Sequence, residues 1–235
     1  DCSSRGLGDV YKRQVLPNGK IAWDVSKVTD MYRMFANTNE FNGNISNWDT
    51  SNVVYMKDMF IFSKQFDGDI NTKPIEDDNG NTLYRAWNVS RVRDMSGMFF
   101  WAELFNKDIN DWDTSNVTNM RAMFFKATSF NKNLAFKQVR DKNNNFLYTA
   151  WNVGNVIEMG LMFKDAKSFN GEIWNWNISN NLNFEEMFNG AKEFNDFRIG
   201  RWKMRNYVNT NNMFLKSGIT RNTFIDEKGN NIEPY

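Results

Sequence analysis

The sequence predicts an α/β solenoid of about seven coils, each with a short parallel strand and a short helix. Three observations predict it. Seven segments align on a tryptophan, at Trp23, Trp48, Trp87, Trp112, Trp151, Trp176 and Trp202, spaced 25, 39, 25, 39, 25 and 26 residues apart. Around each Trp the same apolar columns recur, the mark of a repeat architecture. Of the 235 residues 16% are aromatic, 21 of them Phe, which suits a large packed core and excludes a disordered chain.

The strand comes from W-x-[VT], as in Trp23 and Val25 or Trp48 and Thr50. This alternation puts two large side chains on one face of an extended segment. The helix comes from V-x-x-M-x-x-M-F, as in Val28, Met31, Met34 and Phe35. Its apolar residues at i, i+3, i+6 and i+7 form one stripe of a short helix. Phe-Asn-Gly at 41–43 and its variants supply the turn between them. Ile or Leu recurs three residues before the next Trp, so I-x-x-W-x-[VT] has the spacing of the L-x-x-L-x-L core of a leucine-rich repeat. A Met and aromatic stripe present in every coil reads as core packing, not as a cofactor site. One coil buries too little to stand alone, so stability is expected to be cooperative between neighbours.

Each 39-residue spacing is a 25-residue unit with 14 extra residues, and the two inserts, near 72–86 and 136–150, resemble each other. Their polar tips at 76–81 and 141–145 lie between short apolar runs, which suggests hairpins. A calcium loop fails on spacing: with Gly80 in its sixth place, the first and twelfth positions would be Ile75 and Ala86. The Asn column Asn42, Asn106, Asn131, Asn170 and Asn195, with Asp67, is expected to satisfy turn backbone groups.

The ends read differently. Residues 1–14 fit no column and resemble a translated sequencing adapter, so they are expected to be a non-native leader, with Cys2 among them. Residues 223–235 parallel the inserts, and neither end has a polar capping unit. Residues 15–235 are thus expected to be one repeat domain truncated at both ends.

Composition excludes much chemistry. A net charge of +1 gives no reason to expect nucleic acid or an anionic membrane as partner. No run of about 18 apolar residues predicts a spanning helix. With no His and one Cys, the usual catalytic triad, zinc site and disulfide framework are ruled out. No G-x-G-x-x-G or P-loop string occurs. No cofactor, metal or catalytic residue is therefore expected, and the chain is read as no enzyme.

The residues flanking the Trp column are the candidate binding residues. After the Trp stand Asp24, Asp49, Asn88, Asp113, Asn152 and Asn177; before it stand Asn47, Asp111 and Asn175. A face rich in amides and carboxylates suits a polymer with repeating hydroxyls or amines. The same face would also serve as a solvated ladder that binds nothing.

The string F-N-x-x-I-x-x-W-[DN]-[VT]-S-x-V-x-x-M-x-x-M-F, at residues 41–60, resembles the BspA-like leucine-rich-repeat surface proteins. More narrowly it is similar to their 25-residue-repeat subfamily, first described in mycoplasmal lipoproteins. The resemblance covers residues 21–214 apart from the inserts. It implies a bacterial cell-surface or secreted protein concerned with adhesion, held to a membrane only through an anchor outside this chain. The family has no common activity, so the resemblance carries over no catalytic residue. The expected function is recognition of a host or matrix protein or a glycan. The alternatives are a structural spacer presenting other domains and, third, a glycan-degrading enzyme.

Overall fold

In the computed structural model the described residues are 21–219 and the strands Lys12–Val15, Phe224–Asp226 and Asn231–Ile232; side chains are described from 23 to 219. Most of the expected leader, residues 1–11, lies outside them.

Each repeat opens on a turn. The Asp or Asn after the Trp accepts, through Oδ1, the N–H two residues on, as Asp49 does from Ser51 at 3.0 Å and Asp113 from Ser115 at 3.1 Å. The Val at Trp+5 then donates back three residues, Val53 to Thr50 at 2.9 Å and Val117 to Thr114 at 3.0 Å. A second side-chain-closed turn begins at Trp+7. There Asp30, Asp94, Asn119 and Asn183 accept from the N–H of Tyr32, Ser96, Arg121 and Glu185. Short polar side chains of this kind compete with regular structure for the backbone, and here they win.

Beyond that turn, backbone N–H groups alternate between two destinations. Met95, Gly97, Phe99 and Trp101 donate to Asn119, Arg121, Met123 and Phe125 of the next repeat, at 2.7–3.0 Å. Met98, Phe100 and Ala102, which alternate with them, donate back three residues at 3.0–3.2 Å. Two positions per repeat take a left-handed backbone to make this possible. Trp+10 is Arg33, Asp58, Gly97, Ala122, Leu161, Glu186 and Asn212; Trp+14 is Asn37, Phe62, Trp101, Lys126, Asp165, Gly190 and Lys216. A residue with φ near +55° ends any right-handed helix.

The expected α/β leucine-rich-repeat-like solenoid is therefore not formed. Among the described residues there is no α-helix, and the only helical segment is a 3-10 turn, Phe197–Arg201. The V-x-x-M-x-x-M-F segment is a string of three-residue turns. W-x-V is no parallel strand either. The parallel bridges between repeats lie at Trp+7 as isolated pairs, running from Asp30 through Tyr55, Asp94, Asn119, Glu158 and Asn183 to Asn209.

Successive repeats nonetheless stack in register, and the aromatic side chains line up in columns. The seven Trp rings follow one another at 6.0–6.5 Å between centroids, with planes within 18° of parallel. A second column, Phe35, Phe60, Phe99, Phe124, Phe163, Phe188 and Phe214, runs at 5.4–5.6 Å. A third runs from Phe41 through Phe66, Phe105, Phe130 and Phe169 to Phe194 at 5.7–6.0 Å. Four central indoles reach back past the neighbouring Trp: Trp87 Nε1 donates to Ile45 O at 2.9 Å, Trp112 to Ile70 O at 2.9 Å, Trp151 to Ile109 O at 2.8 Å and Trp176 to Leu134 O at 2.6 Å. These buried indoles thus keep their polar atom satisfied, whereas the Nε1 of the buried Trp202 has no partner among the described residues.

The inserts leave this stack undisturbed. Trp48 and Trp87, separated by an insert, sit at the same 6.4 Å as Trp23 and Trp48. The sheets are short. β1 (Lys12–Val15) and β2 (Ile21–Asp24) pair antiparallel, as do β3 (Lys73–Glu76) with β4 (Thr82–Ala86) and β5 (Lys137–Arg140) with β6 (Phe146–Ala150). β7 (Lys203–Met204) pairs parallel with β8 (Phe224–Asp226), which pairs antiparallel with β9 (Asn231–Ile232). The two insert hairpins touch: Lys142 Nζ donates to Gly80 O at 2.9 Å and lies 3.5 Å from Glu76.

The columns and the left-handed positions set three expected changes in stability. Trp112→Ala removes a fully buried ring from the middle of its column, and urea unfolding should show a loss of about 3–5 kcal/mol. Ala122→Gly relieves a left-handed alanine and should raise stability by about 0.5–1 kcal/mol. Gly97→Ala should lower it, because φ is +63° and the new Cβ would meet the Asp58 carboxylate.

Candidate recognition surface

The structure gathers the residues flanking the Trp column, and it engages each of them in holding the chain. Asp24, Asp49, Asn88, Asp113, Asn152 and Asn177 all close the turn after the Trp, each through Oδ1 to an N–H two residues on, at 3.0–3.2 Å. The residues before the Trp stitch the hairpins to the stack. Asp111 receives Asn71 Nδ2 at 3.0 Å and the Lys137 ammonium at 2.8 Å, and donates its own N–H to Asn71 Oδ1. Asn175 binds both backbone groups of Phe136, accepting from its N–H at 3.0 Å and donating to its carbonyl at 2.9 Å. Asn47 presents its carbonyl to the hydroxyl of Tyr84 at 2.8 Å, as Asp111 does to Tyr148 at 2.7 Å. Much of the polar capacity of this face is thus spent on the backbone.

The Asn column at Trp+19 does what its residue type suggests. Asn42 Oδ1 accepts from Asp67 N at 3.0 Å, Asp67 from Asn106, Asn106 from Asn131 and Asn131 from Asn170, each at 2.9 Å. At the hairpin tips Asp77 and Asp141 close the loops in the same way. Hydrogen bonds from Asn81, backbone and side chain, hold the Asp77 carboxyl below its ordinary pKa, and those from Asn145 do so for Asp141. Among the described residues, no three His, Cys, Asp or Glu side chains cluster as metal ligands.

A different surface departs from the repeat. At Trp+13 and Trp+14 the middle repeats carry Ile61 and Phe62, Phe100 and Trp101, and Phe125 and Lys126, all half-buried. Phe100 stacks on Phe125 at 4.4 Å, with Phe62 edge-on to Phe100 at 5.5 Å and tilted against Trp101 at 5.7 Å. Lys126 Nζ lies 4.1 Å and Lys64 Nζ 5.2 Å from the Trp101 ring centroid, within cation–π range. Glu103 accepts the Trp101 indole N–H at 2.7 Å and pairs with Lys64 at 3.0 Å. The Lys64 contact, with help from Trp101, holds its carboxyl low. Phe62 (φ 59°) and Trp101 (φ 57°) hold these places with a left-handed backbone, where the same column elsewhere has Asn37, Lys126, Asp165, Gly190 and Lys216. Bulky residues are poor occupants of that conformation. Sequence reasoning passed over this patch because it compared columns for what they share. The signal was in the aromatic exceptions, Phe62 and Trp101, at the otherwise non-aromatic, mostly polar Trp+14 position.

A family model described as "Mycoplasma protein of unknown function, DUF285" matches residues 9–134, 77–150 and 135–226. The chain belongs to this family. DUF285 thus covers the Trp, Met and Phe columns and both hairpins. No curated protein and no solved structure compared with the chain matches it.

The tyrosine tethers carry a pH prediction for this DUF285 chain. Burial pushes the Tyr84 and Tyr148 phenols up; Asp49 and Asp24 add to this at Tyr84, while Arg85 opposes it at Tyr148. The folded state thus favours the protonated phenol. Its contribution is complete below the ordinary value of about 10 and is lost as pH rises through the higher folded value. Urea unfolding between pH 8 and 11 should show stability falling above about pH 10. The double substitution Tyr84→Phe with Tyr148→Phe should flatten that decline and cost about 0.5–1.5 kcal/mol per hydroxyl at pH 8.

Proposed function

We propose that this chain is a non-enzymatic recognition module of a bacterial cell surface or secreted protein, binding an extracellular protein or glycan. One observation carries the reading. Phe62 and Trp101 occupy left-handed positions that Asn37, Lys126, Asp165, Gly190 and Lys216 fill in the other repeats, and with Phe100 and Phe125 they leave a partly exposed aromatic patch. Strain kept at a surface, where a simpler residue would serve the fold, points to a task outside the fold. Aromatic groups, with Lys64, Lys126 and Glu103 around them, suit a partner with both apolar and polar faces. The likeness of the repeat string to the BspA-like surface proteins supports the location and the adhesive role. Absence of any His, and the recurrence of the carboxylates as turn-closing columns, support a role without catalysis.

A second reading, a spacer that presents other domains, is favoured by the even stacking of the repeats. The two readings part in one experiment. The chain, Phe62→Asn and Trp101→Asn are applied to arrays of matrix proteins and glycans, with urea unfolding run alongside. Recognition predicts binding that falls at least tenfold in either variant. Stability should stay within about 1 kcal/mol, because Asn is at ease in the left-handed region. Silence across both arrays, or binding indifferent to both substitutions, would favour the spacer.

A further inference from the structure

On a different flank, the columns at Trp+4 and Trp+6, with Arg205 at Trp+3 of the last repeat, enclose an open groove of about 520 Å³. Its floor is the ladder in which Thr118 N donates to Arg93 O, Ile157 N to Thr118 O and Leu182 N to Ile157 O, each at 2.9 Å. These N–H groups are spent, so the groove is no free strand edge. Its walls are the asparagines at Trp+4. Asn116 Nδ2 donates to Ser90 O and Asn155 Nδ2 to Ser115 O, both at 2.8 Å, and Asn180 Nδ2 donates to Gly154 O at 2.6 Å. With the amide nitrogen fixed to the preceding repeat, each oxygen is left as an acceptor. Arg205 takes that of Asn180 at 2.6 Å; no described residue donates to those of Asn116 and Asn155, both exposed. Between them stand Ile157 and Leu182, 47% and 50% exposed. Arg93 and Arg205 bracket the groove at its two ends, and no carboxylate lines it.

We propose that this groove takes an extended peptide segment of a partner protein, with an acidic side chain at each end and apolar side chains between. Charge decides the ends: two arginines with no lining carboxylate call for anions. The middle decides the class. Asn116 and Asn155 offer acceptors, which backbone N–H groups of a peptide can meet, and Ile157 and Leu182 offer aliphatic surface. No aromatic ring lines the groove to stack on a sugar. Arg93 and Arg205 are four repeats apart, roughly 19 Å at a spacing of ~4.8 Å, which an extended chain covers in about six residues. This inference goes beyond the recognition reading. The aromatic patch shares no residue with the groove, so the failure of either leaves the other standing.

The test is fluorescence anisotropy with the full chain and dye-labelled eight-residue peptides of alternating valine and serine ending in glutamate or in glutamine. The glutamate-ended peptide should bind and weaken as salt rises, and the glutamine-ended one should bind at least threefold more weakly. Arg93→Gln and Arg205→Gln, both exposed, should each weaken binding roughly threefold to tenfold. Ile157→Ser should weaken both peptides alike. Equal binding of the two peptides, no binding at millimolar peptide, or indifference to both arginine substitutions would overturn the proposal. So would binding of a uronate oligosaccharide in their place.

Discussion

Alternate backbone amides of the Met–Phe segment must find their acceptors in the next repeat. From this one constraint the rest of the structure follows. Met95, Gly97, Phe99 and Trp101 reach forward to the next repeat, while Met98, Phe100 and Ala102 turn back three residues. A chain that alternates in this way cannot be helical, because a helix sends every N–H along its own axis. It must turn repeatedly, and left-handed backbone at Trp+10 and Trp+14 makes two of those turns. It must also keep register with its neighbours to within one residue. Identical side chains then fall on identical side chains, and the Trp and Phe columns result. No helix propensity and no long sheet stabilises a repeat by itself, so adjoining repeats are the main source of stability.

Register also divides the labour among side chains. Asp and Asn after the Trp, at Trp+7 and at Trp+19 are committed to backbone N–H groups, within the repeat or in the next one. Their recurrence reflects that structural duty. The repeats differ where a side chain has no part in the ladder: at Phe62 and Trp101 on one flank, at Arg93, Ile157 and Leu182 on another. A uniform interior with a variable exterior lets the surface change without disturbing the fold. The insert hairpins obey the same rule, leaving and rejoining the stack between Ile70 and Trp87 with the Trp spacing unchanged.

Much of this was legible in the sequence. The period, the apolar columns and the turn role of the Asn column could be read directly, because burial demands the same residue at the same place in every repeat. The local conformation could not. Val28, Met31, Met34 and Phe35 have the spacing of a helical stripe, and successive three-residue turns place side chains inward at that same spacing. Nothing in Arg33, Ala122, Leu161 or Glu186 announces a left-handed backbone; in that column only Gly97, Asn212 and Asp58 suit it. The inter-repeat bridge at Trp+7 fell on Asp30, Asp94 and Asn119, residues with low strand preference. The Asx-turn chemistry of W-D-x-S was visible and argued against a strand, but the alternation of Trp and Val pointed the other way. The binding candidates beside the Trp were found by their recurrence, the very property that marks a structural residue here.

The account rests on stacked indoles whose N–H groups are locked to the preceding repeats, and hydrogen exchange at those groups tests it most directly. If the stack is right, the Nε1 protons of Trp87, Trp112 and Trp151 exchange only when neighbouring repeats unfold together. NMR should then give through-space contacts between successive indoles and protection close to the unfolding free energy measured in urea. Exchange of these protons at the rate of a free indole, or absence of contacts between Trp87 and Trp112, would contradict it.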